Sequence, residues 1–106
     1  MNFETLIYKR HGAVGVITLN RPEKLNAVTD LMIDELNAVL NHLEATDAVR
    51  VVMLHGSGRA FSAGFDLEGG TASGDIAFKR KVLQKDFDII MRFWDCPKPT
   101  IAAIHG

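Results

Sequence analysis

An α/β layered domain is what this sequence predicts, from three observations. Two short β-rich runs open the chain, two stretches with helical apolar spacing follow, and each helical stretch leads into a compact apolar run. The order β-β-α-β-α-β, with later strands reached through helices, requires right-handed crossovers. No internal repeat, linker or low-complexity segment divides the 106 residues, so one domain is the limit, with a core that is marginal unless something else supports it.

Phe3 to Arg10 and Ala13 to Leu19 form the opening strands, and His11-Gly12 between them reads as a hairpin turn. Asn20 to Lys24 breaks that pattern. From Thr29 onward Met32, Ile33, Leu36, Val39, Leu40 and Leu43 recur at three and four residues, an amphipathic helix that Thr29 or Asp30 caps, with Asp34, Asn37, Asn41 and Glu44 mostly on the opposite face. Val49 to His55 lacks alternation, as a parallel strand covered on both faces does. Gly56, Ser57 and Gly58 end it, and a loop runs from Arg59 to Asp75, its GGTASG stretch reading as a mobile surface segment. A second helix is expected from Ile76 to Trp94, with Phe87, Ile90, Met91 and Trp94 as its packed side. Pro97 and Pro99 stop it, and Thr100 to Ile104 reads as another buried strand.

Twelve basic against thirteen acidic residues, net charge -1, leave no electrostatic footprint for nucleic acid or an anionic membrane surface. The single cysteine, Cys96, has no disulfide partner and no C-x-x-C spacing, which fits a reducing compartment. The opening residues show neither a signal-peptide pattern nor an apolar run of membrane-spanning length, so a cytoplasmic protein is expected. His11, His42, His55 and His105 are scattered without the clustering that metal binding or a nucleophile-base pair needs, and all four read as structural.

The informative stretch is Arg59 to Leu67 (RAFSAGFDL), directly after a buried strand. Small residues and glycine let a ligand approach the backbone and let successive N–H groups turn outward, so such a loop suits an oxyanion; a helical turn starting near Asp66 would add a positive helix end. An ordinary tight connection is equally consistent with these nine residues alone.

Three blocks carry a resemblance. NRPEKLNA (Asn20 to Ala27), AFSAGFDL (Ala60 to Leu67) and PKPTIAAIHG (Pro97 to Gly106) resemble successive blocks of the enoyl-CoA hydratase/isomerase (crotonase) superfamily, in its order and over essentially the whole chain. The resemblance implies an α/β crotonase-like (ClpP/crotonase) fold with a ββα-spiral core, of which residues 1–106 form the N-terminal part of a single domain. It implies an acyl-CoA substrate, with coenzyme A as part of that substrate and no prosthetic group, in fatty acid metabolism. A thioester enolate would be stabilised by two backbone N–H groups, the first being that of Phe65. Substrate contacts are implied for Lys24, Leu25, Ala27, Ala63, Gly64, Phe65, Asp66 and Leu67. Among these the Ala63 carbonyl would accept from the adenine amino group, and Lys24, Leu25 and Ala27 would line the nucleotide and pantetheine arm. Lys24 contacts phosphate or is simply a solvated lysine. Asp66 caps or braces the loop rather than exchanging protons, and Glu68 is solvated.

In the family, the second oxyanion donor and the acidic residues follow the block that ends here at Gly106. The chain is therefore expected to hold half of an active site, to be nearly inert alone, and to leave Thr100 to Ile104 with an exposed edge. The parent protein is expected to form a homo-oligomer, a trimer or hexamer. The alternative is a non-catalytic CoA-binding or oligomer-interaction module.

Overall fold

A computed structural model describes residues 2–65 and 76–106. Its elements follow the predicted order: β1 (Leu6–His11), β2 (Val14–Leu19), a 3-10 turn (Pro22–Lys24), α1 (Asp30–Glu44), β3 (Val51–Gly56), α2 (Ile76–Trp94) and β4 (Thr100–Ala103). The strands make one sheet in the order β1-β2-β3-β4. The β1/β2 hairpin is antiparallel, pairing Leu6 with Leu19 and His11 with Val14, and Gly12 takes its positive φ of 61° at the turn. Both later pairings are parallel, Ile17 opposite Leu54 and Leu54 opposite Ala102.

α1 covers one face of the sheet. The Thr29 hydroxyl accepts from Met32 N–H as its N-cap, and the six apolar residues read from the spacing are its six buried ones. They pack with Leu6, Ile17, Leu19, Val49 and Val52. The approach is close enough that a β-carbon on Gly15 would lie 2.6 Å from a methyl of Leu43. At the other end of α1, Lys98 Nζ donates to the carbonyls of Leu43 and Thr46, at 2.5 and 2.7 Å, a cation on the negative helix end. β1 starts at Leu6 rather than Phe3 because the preceding backbone turns to α1, where the Glu35 carboxylate accepts from the N–H groups of Glu4 and Thr5.

Three expectations need correction. β4 is exposed at all four residues: it pairs with β3 on one side and is the edge of the sheet among the described residues. β3 buries Val52 and Gly56 but leaves Val51, Met53, Leu54 and His55 half-buried. On α2 the inward stripe is centred on Ile89 with Val82, Asp86 and Phe93, and of the four expected residues Met91 is half-buried while Phe87, Ile90 and Trp94 are exposed: Ile89 is 4% exposed and Trp94 82%. The reason lies in the partner surface. The polar side of α1 faces α2, so Lys85 turns inward to Asp34 at 3.0 Å, and Arg92 turns inward to Glu44, Asn37 and Asn41.

Candidate active site

The site is built from the loop after β2 and the loop after β3. Leu25 and Asn26 take left-handed conformations, φ 51° and 55°, which Asn tolerates better than most residues and β-branched residues tolerate least. Asn26 is wholly buried and is tied on every side. Its Oδ1 accepts from Arg21 N–H at 2.7 Å, and its Nδ2 donates to the carbonyls of Ser57 (2.8 Å) and Ala60 (3.0 Å). These bonds fasten residues 21–27 to the loop that follows β3.

From there the two segments run side by side. Ala63 N–H donates to the Leu25 carbonyl at 2.9 Å, Val28 N–H to the Gly64 carbonyl at 2.8 Å, and Val28 and Phe65 form a parallel bridge. The Ser62 hydroxyl donates to the Asn26 carbonyl at 2.8 Å and accepts from Gly64 N–H at 3.0 Å. No peptide in the described chain is cis, and in a trans peptide the C=O and the following N–H point in opposite directions. Because the Gly64 carbonyl faces Val28, the Phe65 N–H points away from it, and no described residue accepts from it. Phe65 also borders an apolar cavity of about 130 Å³, lined among others by Leu36, Leu54, Phe61, Ile90 and Phe93.

The third block closes against the second. Phe61 N–H donates to the His105 carbonyl at 2.9 Å, and the His105 ring lies 2.9 Å from the Gly58 carbonyl. All three sequence blocks therefore meet around residues 57–65. Of the anticipated contact residues, Leu25, Ala27, Ala63, Gly64 and Phe65 are brought together, and Lys24 stands exposed on the adjoining 3-10 turn. Asp66, Leu67 and Glu68, with the helical turn near Asp66 and the GGTASG stretch, lie outside the described residues. Of the remaining histidines, His55 Nε2 lies 2.7 Å from the Thr18 hydroxyl, the His42 ring meets Tyr8 edge-on, and His11 is exposed at the end of β1. Among the described residues no group of three His, Cys, Asp or Glu side chains converges to hold a metal, and no helix is long and apolar enough to cross a membrane.

Sequence reasoning missed Asn26 and Ser62 as the residues that hold the loop, and Ile90 and Phe93 as cavity walls. For Asn26 a signal was present, since Leu-Asn-Ala follows a Pro-initiated turn at a point where the chain must reverse.

Residues 9–106 match the enoyl-CoA hydratase/isomerase family. The chain is 37% identical, over its full length, to a probable enoyl-CoA hydratase of Rhodobacter capsulatus, of which it covers 40%, and 38% identical over 99% of its length to the mitochondrial enoyl-CoA hydratase of Pongo abelii, of which it covers 36%. A crystal structure of an enoyl-CoA hydratase/isomerase from Xanthobacter autotrophicus superposes with a TM-score of 0.94 at 44% identity, covering 99% of this chain and 40% of the other. The chain thus spans about 40% of the length of such relatives, and its sheet and helices are part of the crotonase fold. It belongs to the enoyl-CoA hydratase/isomerase family.

Proposed function

We propose that this chain provides the thioester-binding half of an enoyl-CoA hydratase or isomerase active site, with the Phe65 N–H as one of two donors to the thioester carbonyl oxygen. The observation that carries the reading is the direction of the Gly64-Phe65 peptide: its carbonyl is held by Val28, and its N–H points the other way with no acceptor among the described residues. A fixed N–H aimed at a developing enolate oxygen stabilises charge without reorganising, worth about 2.7 to 4 kcal/mol per donor. The polarised enoyl thioester then takes up water across its double bond, the hydroxyl on the β-carbon and a proton on the α-carbon, or has a proton moved between its α- and γ-carbons so that the double bond shifts.

The apolar cavity beside Phe65 suits the acyl chain, and the segment Lys24 to Ala27 suits the coenzyme A arm, with Lys24 exposed for phosphate. Coenzyme A enters as part of the substrate and no prosthetic group is invoked. The second donor and the acid/base groups are assigned to further family sequence, so residues 1–106 by themselves should bind and turn over little. A homo-oligomeric, cytoplasmic parent enzyme belongs to the same reading and rests on family resemblance.

Calorimetric titration of the chain with crotonyl-CoA and with free coenzyme A, with hydration of crotonyl-CoA followed by loss of enoyl-thioester absorbance, tests this. Tighter binding of crotonyl-CoA with turnover near background is the expected result. Hydration at enzymatic rates by these 106 residues would overturn the half-site, and failure of a folded chain to bind either ligand would overturn the whole reading.

A further inference from the structure

Gly64 sits at φ 95°, and a β-carbon placed on it would meet nothing within 4 Å. No side chain of its own therefore restrains its torsions. Two hydrogen bonds do. Its carbonyl accepts from Val28 N–H, and its own N–H donates to the Ser62 hydroxyl at 3.0 Å. The hydroxyl cannot turn away freely, because its proton is committed to the Asn26 carbonyl at 2.8 Å. Asn26 in turn is immobilised by Arg21, Ser57 and Ala60. A rigid path thus runs from the buried Asn26 through one side-chain oxygen to the residue whose torsions set the Gly64-Phe65 peptide plane.

From this geometry we infer that Ser62 is a positioning residue, aiming the Phe65 N–H through Gly64; the inference rests on the oxyanion role proposed for Phe65. The Ser62 hydroxyl need not touch substrate. It fixes one side of Gly64 while Val28 fixes the other, and loss of either bond lets the peptide rock about an unrestrained glycine. An oxyanion donor tolerates little misalignment, since displacement of about 1 Å at a reacting centre can cost on the order of 100-fold in rate. A serine that merely stabilised the loop would change the melting temperature without separating kcat from KM.

The test uses the full protein that carries this chain, with crotonyl-CoA as substrate and with crotonyl-CoA isotope-labelled at its carbonyl carbon as an infrared probe. Ser62→Ala should lower kcat by about 10- to 100-fold, leave KM nearly unchanged, and reduce the downshift of the bound carbonyl stretch. Ser62→Thr, which keeps the hydroxyl, should recover most of both. Ser62→Cys, which keeps the volume with a weaker donor and acceptor, should fall between them and serves if Ser62→Ala does not fold. Phe65→Pro separates the two claims. If it abolishes turnover and downshift while a folded Ser62→Ala or Ser62→Cys variant matches the parent in both, the Ser62 assignment falls alone. If Phe65→Pro leaves both intact, the oxyanion reading fails and takes the Ser62 assignment with it.

Discussion

Gly56 and Asn26 are packed so closely that a β-carbon on Gly56 would stand 2.8 Å from the Asn26 Nδ2 and 2.3 Å from the Phe61 carbonyl oxygen. The end of β3, the buried carboxamide and the start of the site loop are thus in contact with no room for a methyl group. A backbone oxygen cannot swing aside as a side-chain terminus can, so Gly56→Ala must displace the loop that carries Phe61 to Phe65. We expect a loss of about 1 to 3 kcal/mol in urea unfolding, accompanied by a loss of turnover. A variant with parental activity would show that the loop adapts without moving Phe65.

Asn26 holds the same junction from the other side. Asn26→Ala removes the hydrogen bonds to the Arg21 N–H and to the Ser57 and Ala60 carbonyls. All three residues are half-buried, so a total destabilisation of about 1 to 3 kcal/mol is expected. Asn26→Gly relieves any left-handed strain but restores no hydrogen bond, and it should remain nearly as unstable. Recovery of stability in the glycine variant would mean that backbone conformation, rather than the amide, is what Asn26 contributes.

These contacts explain how far the sequence could be read. α1 was fully legible because its burial is a property of one helix against a flat sheet: six apolar residues at three- and four-residue spacing are the six that are buried. α2 was legible in extent but not in register. Its largest apolar side chains suggested a stripe through Trp94, whereas the complementary surface on α1 is polar and draws in Arg92 and Lys85, leaving Ile89 and Phe93 as the apolar contacts. β4 has the composition of an interior strand, but burial depends on neighbours that composition does not specify, and here it forms an edge. Asn26 was legible only as a turn residue, for a related reason: its side-chain carboxamide donates to residues 31 and 34 positions away, which no local pattern encodes. The site loop was legible from its small residues, although the direction of the Phe65 N–H emerged only with the Val28 pairing.

Phe65 is expected to act through its main chain. In the full protein that carries this chain, Phe65→Pro removes the N–H and should lower kcat by about 100- to 1,000-fold. Phe65→Ala keeps the donor and opens the adjoining cavity, so it should act mainly on KM and on acyl-chain preference. Steady-state kinetics with short and long enoyl-CoA substrates separate the two. Equal losses of kcat in both variants would assign the effect to the side chain.

Arg92 ties α2 to α1 by donating to Glu44 Oε2 at 3.1 Å, Asn37 Oδ1 at 3.2 Å and Asn41 Oδ1 at 2.7 Å. Its fork reaches four acceptor atoms on three residues at once, which a lysine ammonium at the end of a flexible stem does not do in the same geometry. Arg92→Lys should therefore resemble Arg92→Ala more than the parent, each losing about 1 to 3 kcal/mol. Ile89, Ile90 and Phe93 on the same helix line the cavity, so weakened docking should also raise KM for longer acyl chains. A double-mutant cycle of Arg92→Ala with Glu44→Ala checks the coupling; additive effects would show that the two side chains act independently.

Asp86 is expected to make the α1/α2 contact sensitive to pH. Its partial burial, and next the Asp30 carboxylate, raise its pKa above the ordinary value of 3.8, with Lys85 acting in the opposite direction. An acid with a raised pKa holds its proton more tightly in the folded chain than in the unfolded one. Stability therefore falls as pH rises from the ordinary value through the raised one, and the deficit is complete above it. Asp86→Asn removes the charge without changing the shape, so the variant should melt above the parent at pH 7, and the gain should vanish once the pH drops below the ordinary carboxylate value. Paired thermal melts between pH 3 and pH 7 read that difference directly and cancel the other titrating groups common to both proteins. A gain independent of pH would place the effect in amide hydrogen bonding instead, and a loss at pH 7 would mean that the attraction of Lys85 for the ionised carboxylate outweighs its burial and the repulsion from Asp30.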